Sequence, residues 1–169
     1  MAISGKKGSG KDTVADFLVQ EFNFTKLSFA APLKEVCCIL FSMDPMYFEH
    51  RELKESWKHP ETDMTPREIL QYVGSDLMRK SFPNIWINIM KKKLHDRTKN
   101  YVISDLRFTN EYEFLRTLDH VTFLNMKRGS IETKDTHISE NGLTVNDDFK
   151  IIENQGTKEE LYDKIKKLL

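Results

Sequence analysis

Residues 5–13 read GKKGSGKDT, and no other stretch constrains the fold so tightly. Three of the seven glycines, Gly5, Gly8 and Gly10, fall within six residues. A short apolar segment, Met1 to Ser4, precedes them, and Val14, Phe17, Leu18 and Phe22 recur at helical spacing afterwards. The order strand, glycine loop, helix turns successive backbone N–H groups and a helix N-terminus toward one anion. The spacing Gly5 through Gly10 to Lys11 fits G-x-x-x-x-G-K, with the final hydroxyl displaced by one residue to Thr13. Gly5, Gly8, Ser9, Gly10, Lys11, Asp12 and Thr13 are therefore candidates for a phosphate cradle. The bland alternative is a glycine turn that happens to precede a lysine, and the strand and helix flanks weigh against it. Lys11 reads as an exposed loop lysine. Asp12 has two readings: a carboxylate in a first helical turn is favoured by the helix dipole anywhere, but beside phosphates it repels unless magnesium or an arginine offsets it.

The rest of the chain alternates strands and helices. Lys26 to Phe29 reads as a second strand and Leu33 to Phe41 as a helix with Pro32 at its first position. Residues 43–64 mix aromatics, charges and prolines without a sustained period, the mark of a long excursion. Thr65-Pro66-Arg67-Glu68 combines an N-cap, a proline and a capping-box glutamate, opening a helix that carries Ile69, Leu70, Val73 and Leu77. Pro83 starts another through Leu94. Tyr101 to Asp105 is a strand ending in a carboxylate, followed by a helix over Asn110 to Leu118 and a strand over Val121 to Met126. After polar residues 127–148, Lys150 to Glu153 forms a strand and Thr157 with Glu160 caps a terminal helix. This alternation predicts an α/β fold with a parallel sheet covered on both faces, in one domain with one inserted flap.

Composition narrows the partners. Lysine plus arginine and aspartate plus glutamate number 26 each, so net charge points to neither nucleic acid nor an anionic membrane. Cys37 and Cys38 are adjacent and read as buried thiols of a reducing compartment. No apolar run nears the roughly 20 residues that span a bilayer, which predicts a cytoplasmic protein. His137 sits alone among hydroxyls, no cysteine and histidine spacing suits zinc, and no Ser-His-Asp set or Asn-Lys-x-Asp signature occurs. Asp105 ends a strand at what should be the ligand-facing edge, and Arg107 follows it in the same loop. Together with the glycine loop they suit phosphoryl transfer, for which Arg67, Arg79 and Arg128 are further clamp candidates.

Laid end to end, the chain resembles the deoxynucleoside monophosphate kinases of tailed phages and large DNA viruses. The likeness runs through SGKDTVADF, FAAPLKE, REILQYVGSDL, SDLR, KDTHISENGL and NQGTKEELYDKI, in that order. It implies a P-loop NTPase fold with a five-stranded parallel sheet, a monophosphate-binding helical insertion at about 43–95 and a lid at about 127–148. It implies ATP and Mg²⁺, with Lys11 and Asp12 at the phosphates, Thr13 and Asp105 toward the metal, and Asp105 and Arg107 beside the phosphoryl path. Arg128 would flank the donor nucleotide, and Asn154 to Gly156 would border its adenine. Lys34, Arg67, Gln71, Asp76 and Trp86 would bind the acceptor, a deoxynucleoside monophosphate with dTMP or dGMP favoured, in an enzyme suggested to be a homodimer. Two departures stand out: only four residues precede Gly5, and the excursion at 43–64 is much shorter than its phage counterpart. A kinase of the same fold acting on dephospho-coenzyme A or phosphomevalonate, and a non-catalytic ATP switch, are the rival readings.

Overall fold

The computed structural model describes residues 1–129 and 143–169. Five strands, β1 (Ala2–Gly5), β2 (Thr25–Leu27), β3 (Tyr101–Ile103), β4 (Phe123–Lys127) and β5 (Phe149–Glu153), form one all-parallel sheet in the order β2-β3-β1-β4-β5. A parallel sheet needs crossover helices, and these cover both faces, so the central strands carry side chains that are buried on either side. Ala2, Ile3, Val102 and Leu124 are all fully buried. Pairing of β1 with β4 runs from Ala2 opposite Phe123 to Gly5 opposite Met126. That register sets the glycine loop at the sheet's carboxyl edge.

The chain divides into two compact units, residues 1–28 with 93–169, and residues 29–92. In the first, α1 (Lys11–Phe22) turns Val14, Phe17 and Leu18 into a core shared with Ile3, Leu124, Met126, Leu161 and Ile165. The terminal helix, α8 (Lys158–Lys166), opens with the expected capping box, Thr157 accepting from the Glu160 N–H and Glu160 accepting from the Thr157 N–H. Between β3 and β4, α7 (Thr109–Arg116) packs Tyr112 against Phe123 and Phe149.

The second unit is helical: α2 (Ala30–Leu40), α3 (Met46–Glu49), α4 (Arg51–Ser56), α5 (Pro66–Gln71), a π-helical segment (Tyr72–Arg79) and α6 (Ile85–Lys93). Its sequence reading needs three corrections. The helix expected from Pro32 starts at Ala30, because any residue in a first turn lacks an intrahelical N–H partner and proline forfeits nothing there. The excursion at 43–64 folds into two short helices and is pinned by His59, whose Nδ1 accepts from the Glu61 N–H (3.3 Å) while Nε2 donates to the Phe41 carbonyl (3.0 Å). The helix after Thr65 widens into π geometry at Tyr72, which shifts the side-chain phase. Ile69 and Val73 stay buried, but Leu77 is left 47% exposed.

The cysteines split. Cys37 is buried and its thiol is pushed up to about 12, by burial first and by its neighbour Cys38 second. Cys38 is only half-buried, so the expectation of two buried thiols holds for one. A thiol raised in this way stays protonated and unreactive at pH 8. A disulfide exchange reagent at that pH should therefore leave Cys37 unmodified in the native protein and label it after denaturation.

Candidate active site

The loop between β1 and α1 is shaped by left-handed backbone at Gly5 (φ 133°), Gly8 (φ 79°) and Gly10 (φ 102°). Two of these glycines are also crowded. A Cβ on Gly5 would lie 2.5 Å from the Met126 carbonyl oxygen, and one on Gly10 would lie 2.4 Å from Asn154 Nδ2. Lys11 is not the exposed lysine expected: it is 8% exposed, and its Nζ donates to the carbonyls of Gly5 (2.6 Å) and Lys6 (2.9 Å). The amine is thus folded back across the loop it serves. Ser9 Oγ is buried in the same loop and has no hydrogen-bond partner among the described residues. A buried hydroxyl without a partner is costly, and an anion cradled by the loop relieves that cost.

Asn154 braces the loop from behind. Its backbone N–H donates to Lys127 O (2.7 Å) and its Nδ2 to Ser9 O (2.9 Å). The side-chain amide is therefore engaged with the phosphate loop itself, a role that the sequence did not suggest. Gly156 lies under Glu160, where a Cβ would come within 1.7 Å of Glu160 Oε2, so any larger residue there would displace the carboxylate of the α8 capping box.

Asp12 and Thr13 both lie in the first turn of α1, Asp12 with three-quarters of its side-chain surface exposed. Lys26 Nζ stands 3.0 Å from Asp12 Oδ1 and 2.8 Å from Asp16 Oδ1. Crowding by neighbouring atoms raises the Asp12 pKa. Hydrogen bonds from Lys26 and Ser104, with the charges of Lys26 and Lys11, outweigh it and hold the carboxyl below its usual range. A depressed carboxylate contributes stability above its unfolded pKa of about 3.9, and the contribution fades as pH falls through the lower folded value. Asp12→Asn is expected to lower kcat by about tenfold while costing little stability, since the ion pair with Lys26 is largely exposed and asparagine is a tolerated first-turn residue. Unchanged kinetics with about 0.3–1 kcal/mol of lost stability would assign Asp12 to the helix dipole alone.

Two residues beyond β3, which stops at Ile103 short of the expected Asp105, the Asp105 carboxylate accepts from Ser28 Oγ at 2.7 Å. Among the described residues no group of three or more His, Cys, Asp or Glu side chains could hold a metal by itself. One carboxylate and one hydroxyl completed by phosphates and water is the donor set that Mg²⁺ accepts, so Asp105 and Thr13 fit that ion.

Beside the loop lies a cleft of about 530 Å³ whose wall carries four cations, Lys6, Arg107, Lys127 and Arg128, against one carboxylate, Glu153. Asn125, with its Nδ2 donated to Ser4 Oγ (2.9 Å), and Gln155 supply amides. Sequence reasoning found Arg107 and Arg128 but missed Lys6, Lys127 and Asn125. A single asparagine inside an apolar strand was the available signal for the last.

The remaining candidates belong to the second unit. Lys34 Nζ pairs with Glu49 Oε1 (2.7 Å), and Arg67 Nε with both oxygens of Glu55 (2.8 and 3.0 Å). Gln71 ends α5 half-buried, and Asp76 is exposed in the π-helical segment. Trp86 is 3% exposed and donates its single indole N–H to the Gly74 carbonyl (3.1 Å), so it has no donor left for a substrate. Most of the expected lid, with His137, lies outside the described residues.

A parallel sheet in the order 2-3-1-4-5 with a glycine loop after its central strand, a buried loop lysine and a cationic cleft beside it defines a P-loop phosphotransferase. The family model for deoxynucleotide monophosphate kinase matches residues 1–49 and 42–165. The chain belongs to the deoxynucleotide monophosphate kinase family. It is 37% identical to a protein of Acanthamoeba polyphaga mimivirus assigned provisionally to that activity, over 98% of this chain and 93% of the relative. It is 22% identical to the deoxynucleotide monophosphate kinase of Enterobacteria phage T4, over 99% and 97% of the two chains. The deoxynucleoside-5'-monophosphate kinase of Escherichia phage T5 is 24% identical over 85% and 84%.

Proposed function

We propose that the protein transfers the γ-phosphoryl of ATP to the 5'-phosphate of a deoxynucleoside monophosphate, giving the diphosphate and ADP, with dTMP or dGMP as preferred acceptor. The observation that carries this reading is the glycine loop with its orphaned Ser9 hydroxyl and folded-back Lys11, set beside a cleft of four cations. The acceptor is already anionic at its attacking oxygen, so no general base is needed and the work is positioning and charge neutralisation. Loop N–H groups and Ser9 Oγ bind the donor phosphates. Lys11 exchanges its two carbonyl partners for phosphate oxygens, a like-for-like trade of hydrogen bonds. Arg107, Arg128, Lys6 and Lys127 offset charge that spreads over the transferring group. Bound Mg²⁺, held by Thr13 and Asp105, would neutralise charge on the donor phosphates. Lys34, Arg67, Gln71 and Asp76 are proposed to hold the acceptor, with Glu55 and Glu49 orienting the two cations. Asn154 and Gly156 are proposed to border the adenine by way of the loop that they shape. The second unit is proposed as the acceptor-binding insertion and residues 127–148 as the lid. A homodimer working in the cytoplasm of a host cell completes the reading; no helix among the described residues is long and apolar enough to cross a membrane.

The test is an acceptor panel with coupled detection of ADP, comparing the four deoxynucleoside monophosphates with dephospho-coenzyme A and phosphomevalonate. Acceleration by dTMP or dGMP is the expected result. Acceleration by one of the other two acceptors alone would move the protein to a different substrate class. ATP binding with no acceptor effect would make it a switch.

A further inference from the structure

Glu111 is a carboxylate inside the protein, 1% exposed, and nothing in the phosphate chemistry described above uses it. It occupies the third position of α7, where a glutamate ordinarily reaches back to the N-cap amide from the surface. Two features separate it from an ordinary cap. The N-cap residue is Phe108, whose side chain has no acceptor, so the reciprocal half of a capping box cannot form. Burial of a carboxylate is costly unless hydrogen bonds compensate it, and a surface cap incurs no such cost.

What the carboxylate holds is the backbone that follows Asp105. Glu111 Oε2 accepts from the N–H of Arg107 (3.0 Å) and from that of Phe108 (3.2 Å). The residues before them are tied to the sheet: Ser104 N–H donates to Leu27 O (3.4 Å) and Leu106 N–H to Ile3 O (3.2 Å). At Arg107 the segment thus passes from neighbouring strands to a side chain, one Glu111 oxygen receiving the amides of both Arg107 and Phe108. Arg107 lines the cationic cleft. Glu111 therefore helps to set the direction in which the backbone leaves the sheet at Arg107.

We infer that Glu111 is a positioning residue for Arg107, fixing the backbone from which the guanidinium meets the transferring phosphoryl group. The inference rests on the proposed kinase reading, and it extends that reading to a residue that touches no substrate. Preorganised donors matter because a displacement near 1 Å at a reacting centre costs about 10²-fold in rate. Glutamine at 111 keeps the shape but leaves a weaker neutral acceptor for both amides, whereas alanine removes it.

Four variants test this: Glu111→Gln, Glu111→Ala, Arg107→Lys and the double Glu111→Gln/Arg107→Lys, each followed by thermal melting and by acceptor kinetics with dTMP and dGMP. Glu111→Gln is expected to melt cooperatively and to lose about tenfold in kcat with a smaller change in the KM for ATP. The double variant should lose little more than Arg107→Lys alone, because the two residues act as one unit. A folded Glu111→Gln protein within about twofold of wild-type kcat, or losses that multiply in the double variant, overturns the inference. Should Glu111→Ala not fold, the glutamine variant decides. If wild type forms no ADP with any acceptor, the kinase reading itself has failed. Amide hydrogen exchange in Glu111→Gln then decides: faster exchange confined to Arg107 and Phe108 upholds the positioning role, and unchanged protection there refutes it.

Discussion

Lys11→Ala should lower kcat/KM for phosphoryl transfer by about 10²–10³-fold, the usual scale for removing one preorganised charged donor from a developing anion. The amine is the buried cation of the glycine loop, and its present partners, the carbonyls of Gly5 and Lys6, are ones it can leave for phosphate oxygens. The same two bonds give the substitution a structural cost. Losing two hydrogen bonds from a charged, mostly buried group should remove about 1–3 kcal/mol. A chain of this size should then melt several degrees lower, at about 2–4 °C per kcal/mol. The variant should still melt in one transition, and ATP should raise its melting temperature much less than it raises that of wild type. Near-normal turnover in the folded variant would remove the glycine loop from the mechanism.

Gly10→Ala should be among the most damaging small substitutions in the loop. Gly10 holds φ 102° and ψ 13°, where a side chain adds about 1–2 kcal/mol of strain. Its Cβ would also press on Asn154 Nδ2 at 2.4 Å, and Asn154 cannot easily retreat while its own backbone is bonded to Lys127 O. Displacing the amide forfeits its bond to Ser9 O, about a further 1 kcal/mol. Together these predict a fall in melting temperature of about 5–10 °C, accompanied by loss of ATP binding in calorimetry. Gly129→Ala is the control for stability: its φ is 45°, but nothing among the described residues lies within 4 Å of the added carbon, which leaves the backbone strain. Equal melting temperatures for the two variants would show that the Asn154 contact contributes nothing.

Much of this molecule is legible along the chain because its signals are local. The glycine spacing of GKKGSGKDT, the helical period from Val14 to Phe22 and the capping boxes at Thr65 and Thr157 each depend on residues a few positions apart. Each appears in the structure where the sequence places it. The alternation of strands and helices likewise predicted a parallel sheet, since parallel neighbours require crossovers. The family resemblance rests on the same contiguous motifs and agrees with the family model's match.

Other features depend on residues far apart in sequence. Lys11 reads as exposed because nothing nearby reveals that its amine curls over the loop carbonyls. Asn154 becomes a brace for Ser9 only because β5 runs parallel to β4 and delivers residue 154 beside the loop, 145 positions from its partner. Trp86 reads as a substrate contact, and only the fold shows that its indole N–H is turned onto the Gly74 carbonyl. Lys6, Lys127 and Arg128 share a cleft with Arg107 through the pairing of β1 with β4. The sequence by itself determined the phosphate loop, the layer order and the family, because backbone conformation and hydrophobic period are encoded within a turn or two. Only the tertiary structure decided which side chains brace the loop, which cations share the cleft and that Glu111 lies buried beneath Arg107, because those depend on strand register and burial between distant segments.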